Sequence, residues 1–143
     1  MKTEDDIGRW INQLGHQIKR RMDARLANMG VTGVQGRMLH YIIDHCQEQP
    51  VFQKDLEEVF GMRRSTATGI LQLLEKNEMI RRESVPYDAR LKSLVPTDKA
   101  AAIQQEMHAC IRETEQMLTR GIDPEQLQLF VRVVRKMSEN LSS

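Results

Sequence analysis

The sequence predicts a mainly α-helical protein with one small β-hairpin, and three observations support this fold class. Most of the 143 residues fall into segments whose apolar side chains recur every three or four positions, the period of an amphipathic helix. Glycines and prolines separate these segments. One segment near residue 90 instead alternates on either side of a turn-forming Pro-Tyr-Asp, which is typical of two antiparallel strands.

Composition bounds the class of protein. With 40% hydrophobic and 29% charged residues, the chain resembles an ordinary folded domain, alone or with extra helices that pair with a second copy. No apolar run is long enough to span a bilayer, and the N-terminus is charged from Lys2 to Asp6, so we expect a cytoplasmic protein with no membrane contact. Cys46 and Cys110 lie far apart, which argues against a disulfide framework or metal site and for two buried, inert thiols.

Two helices are predicted before Pro50. Residues 5–29 form one amphipathic stripe, and Gly30 fits the preference for glycine just past a helix end. Thr32 is the predicted N-cap of the second helix.

Two short helices and a hairpin follow. Residues 53–60 and about 63–77 have helical periodicity and are separated by Gly61, an arrangement typical of a helix-turn-helix. A hairpin at about 80–96, with its turn at Pro86-Tyr87-Asp88 and alternation at Leu91, Ser93 and Val95, forms a predicted wing. Because that turn is longer than a two-residue loop, its tip is expected to project and to be mobile.

Two helices complete the chain. Thr97 is the predicted cap of a long helix that Gly121 ends, and Asp123-Pro124-Glu125-Gln126 is a restart signal with Asp at the N-cap and Pro at the first helical position. We therefore divide the chain into a dimerisation helix (1–30), a winged helix-turn-helix (31–97) and C-terminal dimerisation helices (98–143).

The outer helices carry more apolar surface than the small central domain could cover, which predicts a homodimer. The alternative is a monomer whose helices fold back on themselves. A symmetric dimer would hold two helix-turn-helix units about 34 Å apart, suited to a pseudo-palindromic site on double-stranded DNA.

Residues 53–97 resemble the central region of the MarR family. The most specific match is Asp88-Ala89-Arg90, which fits the family's Asp-x-Arg wing motif, followed by Thr97 at the start of the fifth helix. Further positions that fit the family pattern are Thr32, Gln35, Leu56, Ser65, Thr66, Leu71, Leu74 and Ile80. The resemblance implies a DNA-binding transcriptional regulator with a winged helix-turn-helix, commonly a repressor relieved by a small-molecule or stress signal.

The chain departs from that family pattern at four positions. Phe52 replaces a usual Thr, and Ala100 replaces a common Gly. Gly69 occupies a position that is often basic, which removes one expected DNA contact. Glu78 replaces a Gly after the second helix of the helix-turn-helix, and Asn77 is predicted to adopt the left-handed conformation instead.

The predicted DNA contacts lie on the second helix of the helix-turn-helix and on the wing. If Ala67, Ile70, Leu71 and Leu74 face the core, then Ser65, Thr68, Gly69 and Gln72 face outward, with Thr66 at the margin. Small hydroxyls and Gln suit base edges, and Arg63 and Arg64 at the helix start suit phosphates. The alternative is a merely solvated helix face, but residues 61–92 carry seven basic and four acidic side chains, a local charge of +3.

Arg90 is the strongest single candidate. The resemblance implies that it reaches the minor groove or its phosphates, with Asp88 holding its side chain; the alternative is a solvated ion pair. Lys92, Arg81 and Arg82 are either phosphate contacts or charges that serve solubility.

An effector site is suggested only by resemblance, because the family commonly binds small aromatic or phenolic ligands beside the dimer helices. Candidates are Trp10, His16, Arg20, His40 and Tyr41, all of which could equally be ordinary core or surface residues.

Other function classes have less support. We find no Gly-rich phosphate loop, nucleophile elbow or catalytic carboxylate cluster, so we expect neither an enzyme nor a cofactor or metal requirement. The remaining alternative is a winged-helix protein-interaction module or antirepressor without specific DNA binding. Gly69 leaves room for it, and Arg90 with the basic wing argues against it.

Overall fold

The computed structural model describes residues 6–142. Residues 1–5 and 143 lie outside the description, and with them most of the charged stretch from Lys2 to Asp6 and the outermost ends of the predicted domains. The described chain contains six helices and one two-stranded sheet, in the order predicted. The elements are α1 (Ile7–Asn28), α2 (Gly33–His45), α3 (Gln53–Phe60), α4 (Arg64–Lys76), β1 (Ile80–Val85), β2 (Asp88–Pro96), α5 (Asp98–Thr119) and α6 (Pro124–Ser142).

The helix ends follow the capping signals of the sequence. The Thr32 hydroxyl accepts a hydrogen bond from the Gln35 backbone N–H at 3.3 Å, and the Gln35 side chain accepts one from the Thr32 N–H at 3.0 Å. This reciprocal pair satisfies two of the free donors at the start of α2. Gly30 and Gly121, after α1 and α5, have φ of 74° and 75°, a conformation that only glycine adopts without strain. These predictions are confirmed.

The chain forms two compact units, the first ending at Cys110 and the second beginning at Ile111. The first unit holds the hydrophobic core, which draws side chains from α2, α3, α4 and the hairpin. Core side chains with at most 1% exposure include Met38, Leu39, Ile42, Leu56, Leu71, Leu74, Ile80 and Leu94. Burial of such a side chain is worth roughly 1.5–3 kcal/mol, so this core holds α3, α4 and the hairpin in place.

The turn of the hairpin differs from the prediction. Strands β1 and β2 pair in regular antiparallel register from Ile80↔Pro96 to Ser84↔Lys92, and the next pair is Val85↔Asp88. The connection is therefore the two residues Pro86-Tyr87, and the expectation of a longer turn is wrong. The additional residues lie within β2. Residues 89–91 have no pairing partner, because Ser84 pairs with Lys92 and the next residue of β1, Val85, pairs with Asp88. Such an irregularity bends a strand and re-aims its side chains.

The core face of β2 also differs from the predicted alternation. Leu94 is only 1% exposed and belongs to the core, whereas Leu91 is 39% exposed. The Leu94 N–H donates to the Val51 carbonyl at 2.7 Å, which ties β2 to the segment before α3. This long-range hydrogen bond and the burial of Leu94 and Val51 in the same core fix β2 against the segment before α3.

The turn after α4 corrects a second expectation. Asn77 has φ of −86°, and Glu78 is the residue in the left-handed region, with φ of 61°. The Thr97 hydroxyl donates to the Glu78 carbonyl at 2.6 Å, and the Lys99 ammonium donates to the Asn77 carbonyl at 2.9 Å. These bonds from the start of α5 hold the turn in a conformation that costs a non-glycine residue about 1–2 kcal/mol.

The second unit, described by itself, leaves most of its apolar side chains exposed. No described residue of α6 is buried. Its large apolar side chains are 37–89% exposed at Leu129, Phe130, Val131, Val133, Val134 and Leu141. None of the helices within residues 6–142 combines the length and the apolar character that crossing a membrane requires.

The two cysteines lie in different surroundings. Cys110 is buried, with 2% exposure, as predicted. Cys46 is only partly buried, so the prediction of a buried thiol there is wrong. It lies just past α2, at the start of a turn, and packs against the core from its edge.

Candidate nucleic-acid interface

A groove with a volume of about 560 Å³ lies between α3, α4 and the hairpin, and we call it the basic groove. Five of its lining residues are basic and one, Glu57, is acidic. The lining residues are Phe52, Gln53, Lys54, Glu57, Arg64, Thr68, Arg82, Arg90, Leu91 and Lys92. A groove with this excess of positive charge raises the local concentration of polyanions such as nucleic acids.

Helix α4 presents one polar face and one core face, as its periodicity predicts. Ala67, Leu71 and Leu74 are buried, with Ile70 partly buried against the core. The outward positions Ser65, Thr66, Gly69 and Gln72 are exposed, and Thr68 is partly buried. A Cβ added at Gly69 would meet nothing within 4 Å, so this stretch of the polar face is open to the approach of a partner.

The start of α4 is suited to phosphate. Arg63 is the N-cap and has no side-chain acceptor with which to cap the helix. The N–H groups of the first turn are free of intrahelical partners by geometry, and they carry the positive end of the helix dipole. Exposed Arg63 and Arg64 add full positive charges beside them.

Within the hairpin, the Asp88 carboxylate binds both the side chain and the backbone of Arg90. Its guanidinium donates to both carboxylate oxygens of Asp88, each at 3.2 Å, and its backbone N–H donates to Asp88 Oδ1 at 2.9 Å. The bonds from the Arg90 side chain, and next that from its backbone, lower the pKa of the Asp88 carboxyl from its ordinary value. The Arg90 side chain is still 90% exposed. Asp88 therefore orients the guanidinium, while the guanidinium N–H groups that do not bind Asp88 face solvent.

Three other basic residues of the hairpin have distinct surroundings. Arg82 Nε donates to Glu75 Oε2 at 2.8 Å, which joins β1 to α4 beside the basic groove. Lys92 Nζ donates to the Ser84 hydroxyl at 2.6 Å across the two strands. Arg81 pairs with Glu83 at 3.6 Å and is absent from the groove lining. Arg82 and Lys92 thus belong to the groove, whereas Arg81 lies apart from it.

The predicted DNA contacts separate into two groups. Arg64, Thr68, Arg90 and Lys92 line the basic groove together. The remaining predicted contacts are outside its lining: Arg63, Ser65, Thr66, Gln72 and Asp88.

Gln53 and Lys54, which were not among the predicted contacts, occupy the first turn of α3 and line the groove. Their position at a helix N-terminus, beside free backbone N–H groups, was the signal that could have found them.

The candidate effector residues are distributed over α1 and α2. Trp10, His16 and Arg20 are exposed on α1, with Trp10 at 59%. His40 lies between Asp44, whose Oδ2 is 3.0 Å from Nε2, and Gln104, whose amide nitrogen is 2.6 Å from Nδ1. The Tyr41 ring stacks on the His45 ring with centroids 3.9 Å apart. Their role as an effector site stays a prediction.

Comparisons with known proteins agree with this geometry. The sequence model of the MarR family matches residues 29–91. A solved structure described as a MarR family transcriptional regulator from Clostridium acetobutylicum is 32% identical to this chain, with a TM-score of 0.77, over 93% of this chain and 96% of that one.

Two Staphylococcus aureus MepR structures share the fold. The MepR–DNA complex is 24% identical, with a TM-score of 0.78, over 91% of this chain and 96% of that one. MepR bound to ethidium bromide is 23% identical, with a TM-score of 0.72, over 98% and 99%. At these identities the likeness concerns the fold. The Clostridium relative, matched at 32% identity over nearly the full length of both chains, establishes that this chain belongs to the MarR family of DNA-binding transcriptional regulators.

Proposed function

We propose that this regulator is a repressor that binds a pseudo-palindromic operator on double-stranded DNA through the basic groove. The observation that carries the proposal is the convergence of Arg64, Thr68, Arg90 and Lys92 on one concave surface beside the exposed start of α4. In this arrangement α4 enters the major groove, where its polar face meets base edges. Arg90, aimed by Asp88, reaches the adjacent minor groove or its phosphates.

The operator-binding species is a homodimer. Support comes from the apolar side chains that α1 and the second unit leave exposed, among them Ile7, Ile11 and Phe130. Large apolar side chains left exposed along a helix in such numbers mark an interaction site. A twofold symmetric dimer would hold two copies of α4 about 34 Å apart, one turn of DNA.

Repression is relieved by a small aromatic or phenolic effector. Support comes from the structural relative that contains ethidium bromide and from the aromatic and polar side chains of α1 and α2. Trp10, His16, Arg20, His40 and Tyr41 remain the candidate contacts. The protein acts in the cytoplasm, where its DNA lies, and it catalyses no reaction.

The test is fluorescence anisotropy of purified protein with labelled duplex DNA from the region flanking its own gene, across a salt series, with random duplex as control. Specific binding is expected to exceed random binding by at least about 10³-fold. The logarithm of the affinity is expected to fall linearly with that of the salt concentration. Equal binding to both duplexes, or no binding to a genomic fragment library, would contradict operator binding. It would favour the alternative function, a protein-interaction module.

A further inference from the structure

The carboxamide of Gln53 joins the two helices of the helix-turn-helix inside the basic groove. Its nitrogen lies 2.8 Å from the Thr68 hydroxyl oxygen and 3.4 Å from the Arg64 carbonyl oxygen. All three residues line the groove. Gln53 thus connects the first turn of α3 to the first two turns of α4.

These two contacts set the direction of the hydrogen bond. A backbone carbonyl can only accept, so the NH₂ end of the Gln53 amide must face Arg64, and the same NH₂ group then donates to Thr68 Oγ1. A helical threonine commonly donates its own hydroxyl hydrogen to the carbonyl four residues earlier. At Thr68 that carbonyl belongs to Arg64, where the Gln53 amide competes for it. Because the Gln53 amide already donates to the Thr68 oxygen, the Thr68 hydrogen is available to an acceptor in the groove.

We propose that Gln53 is a positioning residue that makes Thr68 a hydrogen-bond donor toward DNA, and that this selects the base opposite Thr68. The inference rests on the proposed function, in which α4 enters the major groove. A donor there matches guanine N7 and O6, adenine N7 or thymine O4, whereas cytosine offers only its N4 amino group, itself a donor. Cytosine is thus disfavoured at that position.

The experiment begins with selection of duplexes from a randomised pool by the full-length protein, followed by affinities for every single-base variant of the selected site. Thr68→Val, which has nearly the same shape and no hydroxyl, identifies the base pair that Thr68 contacts. Discrimination against cytosine there is expected to fall by about 3- to 10-fold, the equivalent of one neutral hydrogen bond. Thr68→Ser keeps the hydroxyl and is expected to keep the discrimination.

Two substitutions of Gln53 then test the direction of the bond. In Gln53→Glu the carboxylate can only accept, so Thr68 donates to it and turns its lone pairs to the DNA. The preference at that one base pair is expected to shift toward cytosine by about 3- to 10-fold relative to the other bases. In Gln53→Met the Thr68 hydroxyl is free to donate back to Arg64, and discrimination is expected to fall to that of Thr68→Val. Thermal unfolding followed by circular dichroism checks that each variant is folded, and Gln53→Met carries the test if Gln53→Glu does not fold.

Lys54→Met is the matched control, because Lys54 adjoins Gln53 and lines the same groove. It is expected to weaken binding to all operator variants equally. The slope of the logarithm of affinity against the logarithm of salt concentration is expected to fall by about one. The proposal is overturned if both Gln53 variants keep the wild-type base preference, if they act like Lys54→Met, or if Thr68→Val alters no base position. A pool that yields no selected site at all would instead overturn the proposed function and this inference with it.

Discussion

Helices α4 and α6 are both amphipathic, yet they use their apolar faces differently. Helix α4, with 13 residues, buries Ala67, Leu71 and Leu74 in the core of the first unit. Helix α6, with 19 residues, buries none of its described residues, and Phe130 and Val131 are 55% and 46% exposed. An apolar stripe predicts that a helix packs against something, but the pattern alone does not say whether that surface belongs to the same chain.

The difference assigns separate tasks to the two regions. Because Ala67, Leu71 and Leu74 are buried in the core, α4 can be held rigidly enough to present Thr68 and Arg64 at the basic groove. In the proposed dimer, the exposed apolar face of α6 packs against a second copy of the chain. Substitutions in α4 should therefore change folding or DNA binding, and those in α6 should change assembly.

The largest effect is expected from Leu71→Ala, which removes a side chain with no exposed area. The loss of buried contacts and the cavity left behind should lower the free energy of unfolding by about 2–5 kcal/mol. Urea denaturation at one protein concentration measures it. Leu73→Ala, in the same helix and 50% exposed in wild type, should cost less than about 1 kcal/mol. Similar losses for the two variants would contradict the assignment of the α4 core face.

Phe130→Glu in α6 should act on assembly. If α6 lies in a dimer interface, a charge in place of this aromatic side chain should weaken dimerisation by at least about 2 kcal/mol, roughly thirtyfold. Sedimentation equilibrium over a range of concentrations gives the dimer dissociation constant. Gln128→Glu introduces the same charge at an exposed polar position and serves as the control. An unchanged constant in Phe130→Glu would remove α6 from the interface.

Arg90→Ala should separate DNA binding from both folding and assembly. The Arg90 side chain is 90% exposed, so its removal should leave stability and dimerisation unchanged. Operator affinity should fall by about 1–3 kcal/mol, and the salt slope by about one if the arginine contacts a phosphate. Anisotropy across a salt series measures both quantities. Arg120→Ala, an exposed arginine distant in sequence from the hairpin, is the charge-matched control, and equal affinity for the two variants would refute the wing assignment.

The smallest effect concerns the turn between α4 and the hairpin. Glu78→Gly should raise the free energy of unfolding by about 0.5–1 kcal/mol, because relief of the strain at φ of 61° exceeds the entropy that glycine loses on folding. Asn77→Gly, at φ of −86°, should instead lower stability. Thermal and urea unfolding compare the two variants. A destabilised Glu78→Gly protein would mean that the Glu78 side chain contributes more than its backbone conformation costs.

The sequence by itself determined the features that depend on neighbouring residues. The caps at Thr32 and Asp123, the glycine stops at Gly30 and Gly121, and the bounds of α3 and α4 all follow from interactions within one or two helical turns. The outward face of α4 was likewise predictable, because helical periodicity decides which of its side chains share a side.

Only the tertiary structure decided the features that join distant residues. Backbone bonds at the end of α4 close the turn at Glu78, and Thr97, 19 residues later, binds the Glu78 carbonyl and ties that turn to α5. Leu94 lies in the core with Val51, which accepts its N–H, and Gln53 meets Thr68, 15 residues later, in the candidate site. Local propensity acts over a few residues, whereas these arrangements depend on which segments the core brings together, and a periodic pattern does not encode that choice.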